Sequence, residues 1–231
     1  MASLTLGGTA AEPPSTYAEL LDRLAASPRP AAVWYDGSSG DRVELSGRVL
    51  ANWAVKLINL ISSEWEISPE AEVVIDMPPH WKTAAVHLAV RALGPLKVRT
   101  EGSGNPEQLV IAADPLLWAE DEDAEFEELA GVSLGLLDSS FEDAAGEALP
   151  AWALDVSAEV RQHPDQLVAA LPPTACPEPA PGRPPLLVTA WDDAAAEAMI
   201  SSLVGGGVVV LYQGEPEGET WSQMLRQEGV E

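Results

Sequence analysis

One short run of the sequence gathers side chains that could contact a ligand. His80, Trp81 and Lys82 follow the Pro78-Pro79 pair, at the predicted start of a helix. An imidazole, an indole and an ammonium group in this position are candidates to line a cleft. The alternative is that they form a helix start whose face simply packs on the rest of the chain.

Metal, nucleophile and cofactor motifs are not predicted. His80 and His87 are seven residues apart without an acidic residue between them, whereas a helical metal pair has the spacing of H-E-x-x-H. The turn from Asp36 to Asp41 lacks the alternating acidic ligands of a calcium loop. Cys176 is the single cysteine and has no basic neighbour that would activate it. We therefore predict no catalytic residue, no metal site and no cofactor.

The glycine clusters favour turns over phosphate binding. Gly205, Gly206 and Gly207 follow a predicted helix and open a strand. A phosphate cradle has the reverse order, in which the loop leads into a helix N-terminus. A helix C-cap is the better interpretation. The stretch from Gly102 to Gly104 is predicted to be a flexible connector.

Charge is distributed unevenly along the chain. Residues 1–99 contain 9 basic and 11 acidic side chains, whereas residues 100–231 contain 3 and 26, which together give the net charge of -25. Nucleic acids and anionic membranes require basic side chains, so neither is an expected partner. The acidic excess is typical of a surface that favours solubility. An acidic face from about Glu101 to Glu128 that binds a basic protein partner, or a homo-oligomer, is the alternative.

The pattern of elements predicts an α/β fold with a mainly parallel sheet flanked by helices. Thr16 and Glu19 have capping-box spacing. A hairpin and a βαβ unit are predicted in the first half of the chain, and a proline-rich loop is predicted to interrupt the second half. The eight tryptophans are either core residues, residues at the rim of a site, or residues that stack on a ligand. The predicted strands are 31–35, 42–45, 72–76, 96–98, 108–112, 132–137, 186–189 and 207–212. The first predicted helix is capped by Ser15 or Thr16 and is ended by Pro28 and Pro30. The other predicted helices are 47–65, 80–93, 120–128, 192–203 and 219–227, with 138–170 helical or irregular.

We expect residues 1–14 to be a flexible tail and residues 15–231 to form one domain, with the proline-rich loop at 172–184. No apolar run is long enough to span a bilayer, and the first residues do not resemble a signal peptide. A single cysteine fits a reducing compartment, so a cytoplasmic location is predicted.

Two blocks of the sequence resemble the N-terminal portion of the adenylate-forming superfamily, which includes acyl-CoA and acetyl-CoA synthetases. The chain is also similar to short, uncharacterised actinobacterial relatives of these enzymes. The first block runs from Ala31-Ala32-Val33-Trp34-Tyr35 through Leu45-Ser46, the helix to Trp65 and Glu72 to Trp81, and it ends at Gly94. The second block is Pro185 to Tyr212. The resemblance implies that the strand before His80 ends at the carboxyl edge of the sheet, where ligands gather. His80, Trp81 and Lys82 are therefore the predicted ligand-binding residues.

The chain departs from this family where ATP is handled. The family has a phosphate loop rich in Ser, Thr and Gly that ends in Pro-Lys-Gly, but residues 172–184 hold no lysine and one glycine, Gly182. No lysine follows Lys97. The Tyr-Gly-x-Thr-Glu motif is absent, and the family's ribose-binding Asp and catalytic Lys would lie beyond residue 231. The resemblance therefore predicts a catalytically degenerate relative that binds a small ligand or regulates another protein. An acidic interaction or self-association module and a divergent ligase are the alternatives.

Overall fold

The computed structural model describes residues 12–95, 97–102, 108–182 and 184–230. The predicted tail at 1–14 and the connector at 102–104 fall largely outside these residues. The helices are α1 (Tyr17–Ala25), α2 (Gly47–Glu64), α3 (Trp81–Leu93), α4 (Pro115–Glu120), α5 (Phe141–Ala145), α6 (Val156–Glu159), α7 (Asp193–Gly205) and α8 (Gly218–Glu228), with a 3₁₀ turn at Val160–Gln162. The strands are β1 (Pro30–Asp36), β2 (Arg42–Ser46), β3 (Glu72–Asp76), β4 (Lys97–Arg99), β5 (Gln108–Ala112), β6 (Glu128–Gly131), β7 (Leu154–Asp155), β8 (Leu186–Val188) and β9 (Val209–Gln213).

The strands form two separate sheets. The first has the order β2-β1-β9-β8 and the second has the order β4-β3-β5-β6-β7. All neighbouring strands run parallel except the β1–β2 hairpin. The predicted α/β class with mainly parallel strands is confirmed. The predicted β3–α3–β4 unit is also confirmed, because β3 and β4 pair in parallel.

Helices α2 and α3 fill the space between the sheets. Helix α3 contacts β1 of the first sheet and β3 of the second, and it also packs against α2 and α7. A helix enclosed in this way is largely apolar around its circumference, although this one also carries Lys82, Thr83, His87 and Arg91. The small residues Ala84, Ala85 and Ala89 let its backbone approach its neighbours, and Leu88 and Val90 fill the remaining volume.

Local signals fix the helix ends. Thr16 Oγ1 accepts a hydrogen bond from the Glu19 amide, as predicted, but the Glu19 carboxylate reaches back to the amide of Ser15 instead of that of Thr16. Ser46 Oγ accepts from the amide of Val49 at the start of α2. Gly206, with φ of 76°, ends α7, so the C-cap interpretation of the glycine cluster is confirmed.

Two predicted elements are wrong. The acidic run 120–128 is not a helix. Helix α4 ends at Glu120, and the chain then turns because Gln108 forms hydrogen bonds with the segment that follows. Gln108 Nε2 donates to the backbone carbonyl of Glu125, and the backbone carbonyl of Gln108 accepts from the amide of Glu127. This anchors the chain beside β5 and starts β6 at Glu128, so the strand predicted at 132–137 lies earlier. Strand β6 begins with the charged residue Glu128, so a search for apolar runs does not detect it.

No helix among the described residues is long and apolar enough to cross a membrane. The outer face of the first sheet is covered by α8, through Met224. The outer face of the second sheet has a thinner cover, with Trp118 of α4 and Phe126 packed on it.

Because Leu88 is fully buried in the centre of α3, Leu88→Ala should lower the free energy of unfolding by about 2–5 kcal/mol. Leu137→Ala is the matched control, since Leu137 is 92% exposed, and it should change stability by less than about 0.5 kcal/mol. Urea denaturation followed by circular dichroism measures both variants. Equal effects of the two substitutions would contradict the enclosed position of α3.

Candidate functional site

An open cleft lies beyond the carboxyl ends of strands from both sheets. Its volume is about 730 Å³, which is large enough for a metabolite-sized ligand. Asp76 ends β3, Asp114 follows β5, Ser133 follows β6, Trp191 follows β8 and Gln213 ends β9. The remaining wall is mostly apolar and consists of Met77, Pro78, Pro79, Ala113, Leu134, Phe141, Ala144 and Ala145. Parallel strands bring these residues together because their carboxyl ends share one edge.

The polar part of the cleft is acidic. Asp76 and Asp114 are its charged lining residues, and no lysine or arginine lines it in the part of the chain that the structure describes. Asp76 Oδ2 accepts a hydrogen bond of 2.7 Å from Trp118 Nε1, which holds that carboxylate in place. An uncompensated polyanion would be repelled here.

The proline-rich segment does not fill this cleft. Pro172 packs near Gly94 at the C-terminus of α3, and the Thr174 carbonyl accepts from the amide of Tyr17. The amide of Ala180 donates to the carbonyl of Ser201, and Pro184 lies near Gly207, just before β9 begins. These contacts lie at the amino ends of the strands, so the described part of 172–184 is remote from the cleft. These described residues contain no helix or extended strand.

His80 is a buried cap of α3. Its Nδ1 accepts a hydrogen bond of 3.1 Å from the amide of Lys82, and its ring lies 4.4 Å from that of Trp34. Burial lowers the pKa of His80 to about 3. His80 and Trp81 sit directly behind the Pro78-Pro79 wall of the cleft and are themselves buried. Their role in ligand binding stays a prediction.

Lys82 faces a different space. Its Nζ donates to the carbonyls of Ser133 and Gly135, at 2.6 and 2.8 Å. It lines a small pocket of about 20 Å³ together with Asp138 and Arg161. Burial lowers its pKa to about 8, although Asp138 opposes this shift. The two carbonyl contacts hold the amine at this small pocket, and the role of Lys82 in ligand binding stays a prediction.

The cleft residues missed at the sequence level had a common signal. Asp76, Asp114 and Trp191 each fall within three residues of the end of a predicted strand. Collecting the residues that follow every strand, instead of one local run, would have found them. Gln213 follows the same rule for the last strand. No group of three or more His, Cys, Asp or Glu side chains within the described ranges could hold a metal ion.

Comparison with known proteins gives a limited sequence signal. No family model matches the chain. A "TIGR03089 family protein" of Mycobacterium tuberculosis is 34% identical over 140 residues, which is 60% of this chain and 56% of that protein. The chain thus spans just over half the length of this curated relative.

Solved structures give a clear fold signal. An acyl-CoA synthetase of Brucella canis matches 97% of this chain and 48% of its own, with a TM-score of 0.69 and 16% identity. The N-terminal subdomain of Klebsiella oxytoca NpsA, in complex with 3-hydroxybenzoyl-AMSN, matches 98% of this chain and 61% of its own, with a TM-score of 0.60 and 12% identity. The amide bond synthetase McbA of Marinactinospora thermotolerans matches 93% and 47%, with a TM-score of 0.58 and 14% identity. The chain therefore has the fold of the N-terminal subdomain of adenylate-forming enzymes.

Acid should destabilise the protein through its buried histidines. His80 and His87 have a pKa of about 3 in the fold, whereas unfolded histidine binds a proton near pH 6.5. The unfolded state therefore binds more protons as the pH falls below 6.5, and stability decreases. Between about pH 7.5 and 5, each histidine should cost about 2 kcal/mol.

His80→Asn tests this assignment because Asn keeps a capping acceptor and does not titrate. The midpoint of urea denaturation is measured across this pH range for the variant and the wild type. The loss of stability that the buried histidines cause on acidification should be about half as large in the variant. A curve parallel to the wild type would show that His80 is not buried in its neutral form.

Proposed function

We propose that this chain is a catalytically degenerate relative of acyl-CoA synthetase-like adenylation domains that keeps the cleft as a small-molecule site and does not form adenylates. One observation carries the proposal: the cleft where such chemistry would take place is lined by Asp76 and Asp114 without a lining lysine or arginine among the described residues. Phosphoryl and adenylyl chemistry depends on cations and backbone amides that stabilise phosphate charge.

The position of the proline-rich segment supports the same proposal. Residues 172–184 occupy the place in the chain where the resemblance puts the phosphate loop. Their described part packs at the amino ends of the strands, against α1, α3 and α7, and cannot cradle a phosphate in the cleft. The nearby cation Lys82 is bound to the Ser133 and Gly135 carbonyls.

The cleft chemistry favours a neutral or cationic ligand with an apolar body. Phe141, Met77 and Leu134 offer apolar contact, Trp191 offers an indole, and the two aspartates accept hydrogen bonds. We propose that His80 and Trp81 support the Pro78-Pro79 wall from behind. We propose a cytoplasmic location as well, on the basis of the single cysteine.

Pyrophosphate exchange with a panel of carboxylic acids should show no acid-dependent signal above the blank. A catalytically active acyl-CoA synthetase assayed in parallel is the positive control. The physical reason is the missing stabilisation of phosphate charge, which is worth several powers of ten in rate for this type of chemistry. Robust acid-dependent exchange by the purified chain would refute the proposal.

A second candidate function, a protein-interaction module, is favoured by one surface. Trp152 is 56% exposed and stacks on Phe126 at 6.0 Å, and Phe126 in turn contacts Trp118. Glu125 and Glu127 are exposed on either side of Phe126. No lysine or arginine occurs between Arg99 and Arg161 in the sequence. An exposed indole beside carboxylates is suited to a lysine- or arginine-rich segment.

A short lysine- and arginine-rich peptide should bind this surface with an affinity that falls as salt rises. Trp152→Ala should weaken binding by about tenfold, because it removes the indole face. Leu137→Ala is the exposed apolar control. Calorimetric titration measures both, and a glutamate-rich peptide reports non-specific adsorption. Unchanged affinity in Trp152→Ala would exclude this surface as the binding site.

A further inference from the structure

A second cavity lies between α1, α3 and α7, away from the lining of the cleft. Its volume is about 90 Å³, and its polar lining consists of Tyr17, His87, Arg91, Asp193 and Glu197. At roughly 10–15 Å³ per water, it holds several water molecules, or a compact molecule of about five or six non-hydrogen atoms. The five polar side chains come from three helices that are distant in sequence.

His87 is one of the lining residues, and it carries a buried polar atom without a partner among the described residues. His87 is 4% exposed, and its Nδ1 makes no hydrogen bond to the described residues. Burial, helped by the charge of Arg91, lowers the pKa of His87 to about 3, so the ring is neutral. A buried ring nitrogen without a partner costs free energy unless a bound molecule satisfies it.

A cation with unused hydrogen-bonding capacity faces the same space. Arg91 Nε donates to the hydroxyl of Tyr17 at 3.3 Å. Arg91 forms no ion pair within 4.0 Å in the described part of the chain. The forked terminal nitrogens of a guanidinium match the two oxygens of a carboxylate. The cavity therefore holds a ready partner for a carboxylate group.

Two carboxylates of α7 line the side of the cavity that is formed by this helix. Asp193 and Glu197 are four residues apart and share one face of the helix. Asp193 Oδ1 accepts from the amide and hydroxyl of Thr100. Glu197 makes no ion pair with the described residues. The lining thus carries one guanidinium and two carboxylates, so it offers a partner for a group of either charge.

We propose that this cavity binds a small zwitterion, with a carboxylate held by Arg91 and Tyr17 and an ammonium group held by Glu197. Such a molecule adds no net charge and pairs both signs of the lining. A molecule of the size of glycine or alanine fits the volume. This site is independent of the cleft, so the outcome of pyrophosphate exchange does not bear on it.

Calorimetric titration of the intact chain with glycine, L-alanine and β-alanine tests the proposal, with acetate and methylamine as single-charge probes. At least one zwitterion should bind saturably at millimolar concentration or below, and at least about tenfold more tightly than either single-charge probe. Arg91→Gln and Glu197→Gln should each weaken binding by about tenfold or more. Arg226→Gln and Glu147→Gln, which alter exposed charges elsewhere, should bind as the wild type does.

Three results would overturn the proposal. The first is the absence of saturable heat with every zwitterion. The second is acetate or methylamine binding as tightly as the best zwitterion, which would indicate a site for one charge only. The third is wild-type affinity in Glu197→Gln, a variant on the exposed face of α7 that should fold even if Arg91→Gln does not.

Discussion

The structure depends on burying one helix on all sides. Helix α3 lies between two sheets, so water reaches almost none of its surface, and every polar group on it needs a partner inside the protein. Thr83 Oγ1 donates to the carbonyl of Pro78, Lys82 donates to two loop carbonyls, and Arg91 binds Tyr17. The loops and helices that surround α3 are therefore positioned by its polar side chains as well as by its apolar ones.

This constraint explains why the candidate sites cluster around α3. Its N-terminus stands behind the wall of the cleft, where the strands of both sheets end. Its C-terminal half carries His87 and Arg91, and the space between these bulky groups and α7 becomes the second cavity. Trp191 links the two places, because it lines the cleft and its ring lies 5.9 Å from that of His87.

The sequence predicts the elements better than their assembly. Helix α3 is visible because His80 follows two prolines and Gly94 ends the apolar run, and both signals act over a few residues. The division into two sheets is not visible, because β9 lies between β1 and β8 through contacts across most of the chain. Strand β6 was misplaced for a related reason: Gln108, from the preceding strand, decides where the acidic run turns. Long-range hydrogen bonds here override local patterns.

The same limit applies to the site. A search for adjacent chemical groups finds His80, Trp81 and Lys82, whereas the cleft is assembled from single residues at the ends of five strands. Most of that lining belongs to residues 100–231, the part with 26 acidic and 3 basic side chains. The acidity of the cleft is thus continuous with that of the surrounding surface, and the potentials add. Polyphosphate would have to overcome this field without a lysine or arginine in the cleft lining among the described residues, because Lys82 is bound to the Ser133 and Gly135 carbonyls.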